Sequence, residues 1–160
     1  LGDLLYYQRL GSEQLITKMG SIVQSVNNLD YLPPVLSMED IQSTTAQEWI
    51  SLLQQIIDYS NYDVVILDLS DSVSQLYKVL EQCTRIYMPI RADPVSQAKI
   101  HQFEHTLQVW EKQMMLDRIR KIKLPYHRSS KTGIGYMDDL VWSELGDYVR
   151  EMLRTEREDG

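Results

Sequence analysis

Tyr62-Asp63-Val64-Val65-Ile66-Leu67-Asp68-Leu69-Ser70-Asp71 is the stretch whose reading decides the fold. Val64 to Leu67 run without a polar interruption and are rich in β-branched side chains. Such a run predicts a strand over residues 63 to 68, buried on both faces. It ends on the carboxylate of Asp68, and Asp71 follows three residues later. An acidic residue where a buried strand stops lies at the carboxyl edge of a sheet, where open α/β folds place their ligands.

The segments around this strand predict its partners. Upstream, Thr45 and Glu48 have the spacing of a capping box. The helix they open carries Trp49, Leu52, Leu53, Ile56 and Ile57 on one face. Leu29 to Leu32 predicts a short strand stopped by Pro33-Pro34, followed by a loop with one turn around Ser37 to Ile41. Asp3 to Leu10 reads as one or two helical turns. Ser12 is expected to cap a helix through Val26, weakened at Gly20 and ended by Asn27-Asn28. Downstream, apolar spacing predicts a helix from about 72 to 83 and a strand from Arg85 to Ile90. Asp93-Pro94 predicts an N-cap with proline at the first helical position. The helix it opens has an apolar stripe that reaches Met114, with a further turn at Leu116 to Arg120. Ile122 to Leu124 predicts a last strand, 126 to 137 a loop, and 138 to 154 a final helix with a frayed, charged tail. Strands alternating with helices imply parallel pairing and helices packed on the sheet. The expectation is an α/β fold in one domain over residues 1 to 160.

Composition excludes several function classes. With 160 residues, 43% hydrophobic and 24% charged, the chain has ordinary globular composition. A formal charge of -7 argues against a nucleic-acid face and against adhesion to anionic lipid. The local cluster Arg118, Arg120, Lys121 and Lys123 reads as a solvated strand edge and loop. Cys83 is the one cysteine, placed on an apolar helical stripe, so neither a disulfide nor a cysteine zinc site is expected. No apolar run is long enough to span a bilayer, and no signal-peptide pattern opens the chain. A cytoplasmic setting is the expectation.

Few residues remain as candidates for chemistry. The 62–71 stretch has the form of a Walker B segment, whose Asp holds the magnesium of a bound nucleotide through water. The same form also ends ordinary buried strands, so shape alone leaves both readings open. A phosphate site needs a glycine-rich loop leading into a helix, with a lysine. Lys131-Thr132-Gly133-Ile134-Gly135 has the residue types in the wrong order and no buried strand leading into it. His101 and His105 are four apart, but Gln102, Phe103 and Glu104 between them give no His-Glu-x-x-His motif, and both read as surface side chains. No nucleophile elbow occurs. Asp68 and Asp71 alone bind magnesium poorly.

The order of these segments resembles the MinD/ParA group of P-loop ATPases. Tyr62-Asp63-Val64-Val65-Ile66-Leu67-Asp68 is similar to that group's Walker B strand. Leu29 to Pro34 is similar to the strand before it, and Arg85 to Lys99 to the strand and helix after switch II. Ser143-Glu144-Leu145-Gly146-Asp147-Tyr148-Val149 resembles the branch that includes the pilus-assembly ATPases called CpaE, found beside receiver-like domains. The resemblance covers roughly residues 1 to 155. It implies a three-layer P-loop fold truncated at its N-terminus. It also implies ATP and magnesium as ligands of the complete domain, and an ATP-dependent homodimer. Asp68 matches the Walker B Asp, with Asp71 as a second catalytic carboxylate. Ser70, Asp71 and Ser72 match switch II, although Ser70 stands near where many members have proline. The deviant Walker A loop of the group, Lys-Gly-Gly-x-Gly-Lys-Thr/Ser, has no counterpart here. The chain is therefore expected to be the later part of such a domain, unable to bind or hydrolyse ATP alone and completed by a preceding P-loop segment. The alternatives are a protein-interaction domain on a decayed scaffold, and an unrelated α/β enzyme using Asp68.

Overall fold

The computed structural model describes residues 1–10, 15–26, 29–34, 37–129 and 131–158. The chain divides into two compact units, Leu1–Thr84 and Arg85–Gly160. It is an α/β protein, and its described residues form two small sheets, one of them parallel. Among the described residues no helix is long and apolar enough to cross a membrane.

In the first unit, α1 (Gly2–Arg9) and α2 (Leu15–Ile22) pack with the longer α4 (Ala46–Tyr59). Leu4, Leu5, Leu15, Met19, Leu52 and Ile56 form the core they share. Between them lie β1 (Gln24–Val26), β2 (Leu29–Tyr31) and α3 (Met38–Ser43). The capping box at the start of α4 forms as its spacing predicts. Glu48 N–H donates to Thr45 Oγ1 at 3.3 Å, and Thr45 N–H donates to Glu48 Oε2 at 2.7 Å. The turn expected around Ser37 is α3, capped by Ser37. The Ser12 cap and the Asn27-Asn28 stop lie outside the described residues.

In this unit two helix expectations and one strand expectation differ from the structure. The helix predicted through Val26 ends at Ile22, and Gln24–Val26 instead pairs with Leu29–Tyr31. That pairing is antiparallel, with Ser25 opposite Asp30. Two strands so close in sequence have no room for the crossover that parallel pairing requires. The predicted buried strand at 63 to 68 is not a ladder strand: residues 64 to 70 carry no regular secondary structure. A strand exists only with a neighbour, and among the described residues none pairs with this segment. Its side chains still alternate. Val65 and Leu67 are half-buried, Val65 against the core, while Val64 and Ile66 are 74% and 82% exposed. The helix expected from 72 to 83 shortens to α5 (Leu76–Leu80). Gln75 before it is left-handed at φ 54°, a conformation that a right-handed helix does not continue through.

The second unit begins with β3 (Ile86–Pro89), followed by α6 (Pro94–Val109), α7 (Gln113–Leu116) and β4 (Ile119–Ile122). β3 and β4 are parallel, with Ile86 opposite Ile119 and Pro89 opposite Ile122. The helices between them supply the long connection that parallel neighbours need. Asp93 caps α6 as expected: its carboxylate accepts from Ser96 N–H at 2.9 Å and from the Ser96 hydroxyl at 2.7 Å, with Pro94 opening the helix. β4 starts three residues before the strand predicted at 122 to 124, because its register follows β3 rather than its own apolar run. The single helix expected from 138 to 154 is two, α8 (Ile134–Val141) and α9 (Glu144–Glu158). Ser143 makes the break. Its hydroxyl donates to Leu140 O at 2.7 Å and accepts from Gly146 N–H at 3.3 Å. A Cβ at Gly146 would overlap the carbonyl oxygen of Val141, so this corner admits only glycine. The tail expected to fray stays helical to Glu158.

Candidate functional site

The carboxylates that the sequence singles out close the 64–69 segment. Asp68 and Asp71 are both exposed. Between them the chain turns on Ser70, whose hydroxyl accepts from Ser72 N–H at 3.3 Å and whose carbonyl accepts from Val73 N–H at 3.4 Å. A serine bonding its own backbone two residues on is a local turn device. It sets Ser70, Asp71 and Ser72 on one bend directly after the extended residues.

Asp68 and Ser70 also line an apolar groove of about 720 Å³, together with Met19, Trp49, Leu52 and Val64 among others. α4 positions the floor: its capping box fixes where the helix begins, and Trp49, Leu52 and Ile56 follow at helical spacing. Leu29 to Leu32 contribute to the same lining. Asp30 accepts hydrogen bonds from the hydroxyls of Ser25 and Tyr62, the latter at 2.7 Å. Those two bonds, Ser25 first, hold the Asp30 carboxyl below its ordinary range, and Asp30 in turn raises the Tyr62 phenol. The Tyr62–Asp30 bond ties β2 to the residue that leads into the 64–69 segment.

The residues present do not by themselves fit a magnesium–nucleotide complex. Magnesium takes six oxygen ligands in octahedral geometry, usually one or two carboxylates plus substrate phosphates and water. Asp68 and Asp71 supply the carboxylates. However, no Lys or Arg side chain is among the described residues lining the groove to hold phosphates. No group of three or more His, Cys, Asp or Glu suited to a metal occurs among the described residues.

A second cluster, which the sequence did not announce, lies in the second unit. Asp139 on α8 is hydrogen-bonded by Ser129, sits 3.2 Å from Lys131 Nζ, and is 3.8 Å from His127 Nε2. Ser129, followed by Lys131, holds the Asp139 carboxyl below its ordinary range. His127 packs its ring edge against Tyr136, with centroids 5.9 Å apart. Ser129 bonds the carboxylate rather than the imidazole, so the trio is not arranged as an activated nucleophile. Lys131, weighed in the sequence as part of a phosphate loop, is paired with Asp139 and anchors its loop to α8. The one signal for this cluster was the mixture of His, Ser and Lys in an otherwise featureless loop.

His101 and His105 are exposed on α6, and neighbouring Glu104 pairs with Lys121 at 2.7 Å. Cys83 is half-buried, its thiol 3.7 Å from Val79 O. Of the basic residues around β4, Arg120 reaches Glu156 at 3.7 Å and Lys121 reaches Glu104, while Arg85, just before β3, also reaches Glu156 at 2.6 Å. Glu156 is also bonded to Tyr87, whose phenol is raised first by burial and then by that carboxylate. Compared with protein-family models, with curated proteins and with solved structures, the chain matches none.

Proposed function

We propose that this chain is the Walker B and switch II portion of a MinD/ParA-like ATP-dependent switch ATPase, with a spatial-positioning or pilus-assembly role in the style of CpaE. The observation that carries the reading is the exposed carboxylate of Asp68. It closes an apolar segment whose burial alternates residue by residue and is followed at once by the Ser70–Ser72 bend. In this reading Asp68 holds magnesium through water, Asp71 is a second carboxylate of the reaction, and Ser70 and Ser72 lie beside the γ-phosphate. The lysine and glycine-rich loop that hold the phosphates come from residues outside these 160, as do a receiver-like neighbour and the ATP-dependent homodimer. The parallel β3–β4 pair with its helical connection supports the wider three-layer sheet that such a domain requires.

Isothermal titration of the 160-residue chain with Mg-ATP tests the division of labour. No heat of binding is expected at micromolar nucleotide. Micromolar affinity would overturn the claim that the phosphate-holding half lies elsewhere. In a protein that carries the glycine-rich loop ahead of this chain, Asp68→Asn is expected to abolish ATP hydrolysis while leaving the fold intact.

The exposure of Val64 and Ile66 favours one second reading, a non-catalytic interaction domain on a decayed scaffold. It predicts no Lys-Gly-Gly-x-Gly-Lys sequence ahead of Leu1 in the full protein, and sequencing the upstream region distinguishes the two.

A further inference from the structure

His127 is the least satisfied side chain of the Asp139 cluster. Its side chain is 11% exposed, yet among the described residues its Nε2 takes part in no hydrogen bond. That nitrogen lies 3.8 Å from Asp139 Oδ2, within reach of an ion pair and beyond that of a hydrogen bond. The rest of the carboxylate is already engaged. The Ser129 hydroxyl donates to it, and Lys131 Nζ lies 3.2 Å from Oδ1. One carboxylate on α8 therefore gathers three side chains from the loop between β4 and α8. Of the three, the imidazole is the one whose kind of side chain changes charge near neutral pH.

Neutral and charged imidazole fit this place differently. A neutral ring leaves a buried polar nitrogen unsatisfied in front of an anion, which costs free energy. With both nitrogens protonated, the ring presents a cationic N–H to Oδ2, and a small closure makes a charge-assisted bond. Asp139 is prepared for that bond. Ser129, followed by Lys131, holds its carboxyl below the ordinary range, so it remains an anion where imidazoles titrate. On α8, Asp138 adds a second negative charge beside Asp139, and Tyr136, a phenol neutral at these pH values, meets the ring edge. Arg128 and Lys131 of the loop oppose protonation, but both are exposed and water screens them. From α9, Glu144, Asp147, Arg150, Glu151 and Arg154 lie around Pro125, two residues before His127. Asp147 pairs with Arg150 and Glu151 with Arg154, which leaves Glu144 as a further negative charge on that side.

The position of the loop gives the pair a consequence. It follows β4 at the carboxyl edge of the parallel β3–β4 pair, the edge on which open α/β folds take ligands. Exposed Tyr126 and Arg128 flank His127 there.

We propose that His127 is a proton-operated latch for the loop after β4. Its imidazolium form pairs with Asp139 and seats the loop on α8. The neutral ring releases it, and Tyr126 and Arg128 move with the loop. The hold is present at the acid end and is lost as pH rises and the ring gives up its proton. The latch lies within the second unit and is independent of nucleotide and of the ATPase reading.

Backbone amide relaxation of the full 160-residue chain, recorded between about pH 5 and 8, tests the latch, with the ring carbons of all three histidines followed in the same samples. Order parameters at Arg128, Ser129 and Lys131 are expected at about 0.85 at the acid end and below about 0.6 at the alkaline end. The midpoint of that change should coincide with the titration of the His127 ring, and not with that of exposed His101 or His105. His127→Gln, neutral at every pH, and Asp139→Asn should each remove the pH dependence. The double variant His101→Gln, His105→Gln should keep it. Order parameters that stay constant across the range in the parent overturn the proposal. So does ordering that tracks His101 or His105, or pH dependence that survives in His127→Gln or Asp139→Asn. If a variant fails to fold, the match between the loop and the His127 ring in the parent decides the matter alone.

Discussion

Glu48 is the acidic residue on which the first unit leans most, and replacing it with Gln isolates its charge. Its Oε2 accepts the Thr45 backbone N–H at 2.7 Å and the Thr45 hydroxyl at 2.8 Å, while Oε1 meets Arg9 Nε at 2.6 Å. Arg9 Nη2 also donates to Thr44 Oγ1 at 3.2 Å, so the one guanidinium joins α1 to the start of α4. These contacts, the Thr45 backbone bond first and Arg9 after, pull the Glu48 carboxyl from 4.5 to about 2. At about 1.36 kcal/mol per pH unit, that difference sets a ceiling of roughly 3.4 kcal/mol. Solvent screens the Arg9 pair, whose guanidinium is 42% exposed, so about 1–2 kcal/mol is the expected effect. A depressed folded-state value means the stabilisation is fully present above pH 4.5 and is lost as pH falls towards 2. Gln keeps the capping geometry and removes the charge. E48Q is therefore expected to unfold more easily than the parent at pH 7, with the gap closing near pH 2. Urea melts followed by Trp49 emission, in a background with Trp110 and Trp142 changed to Phe, report on this unit alone. A deficit of the same size at pH 7 and at pH 2 would refute the electrostatic account and leave only a packing effect.

Leu52→Ala removes a side chain that is 2% exposed in the shared core of α1, α2 and α4, and should cost about 2–5 kcal/mol in the same Trp49 melt. Asp93→Ala deletes both bonds to Ser96, so amide exchange at Ser96 and Gln97 should quicken while that at Leu107 stays slow. Unchanged exchange at Ser96 would show that proline alone starts α6. Glu156→Gln removes the shared counter-charge of Arg85 and Arg120, and faster exchange in the last two turns of α9 is expected, an effect that added salt imitates in the parent.

What the sequence made legible was local chemistry. The Thr45–Glu48 box and the Asp93-Pro94 start are short-range devices that work wherever the chain places them, and both form as spacing predicts. The parallel pairing of 86–89 was also legible, since a helix-length connection leaves few other options. The misreadings fall where a second segment decides. Val64 to Asp68 has the composition of a strand, but composition cannot supply the neighbour that makes it one. Gln24 to Val26 fits a helical stripe as well as a strand, and the proximity of Leu29–Tyr31 settled it as a hairpin. The left-handed turn at Gln75 carries no strong sequence mark, because it does not rest on glycine, and at the Ser143 hinge the required glycine, Gly146, stands three residues past the break. At the candidate site, Asp68, Ser70, Asp71 and Ser72 share a bend because they are contiguous. The Asp139 cluster joins residues from a loop and a helix eight to twelve positions apart, which no periodicity reveals.

The open 64–69 segment also bears on colloidal behaviour. An apolar run with exposed Val64 and Ile66 and, among the described residues, no ladder partner is the kind of surface that seeds fibrils. Asp63 and Asp68 bracket it and Asp71 follows, in a chain already at -7. Carboxylates in these positions act as gatekeepers: a second molecule that approaches edge to edge meets its own charge before it meets the hydrophobic strip. Neutralising all three by Asn would leave this unit's packing in place, yet convert the segment into a nucleus for self-assembly.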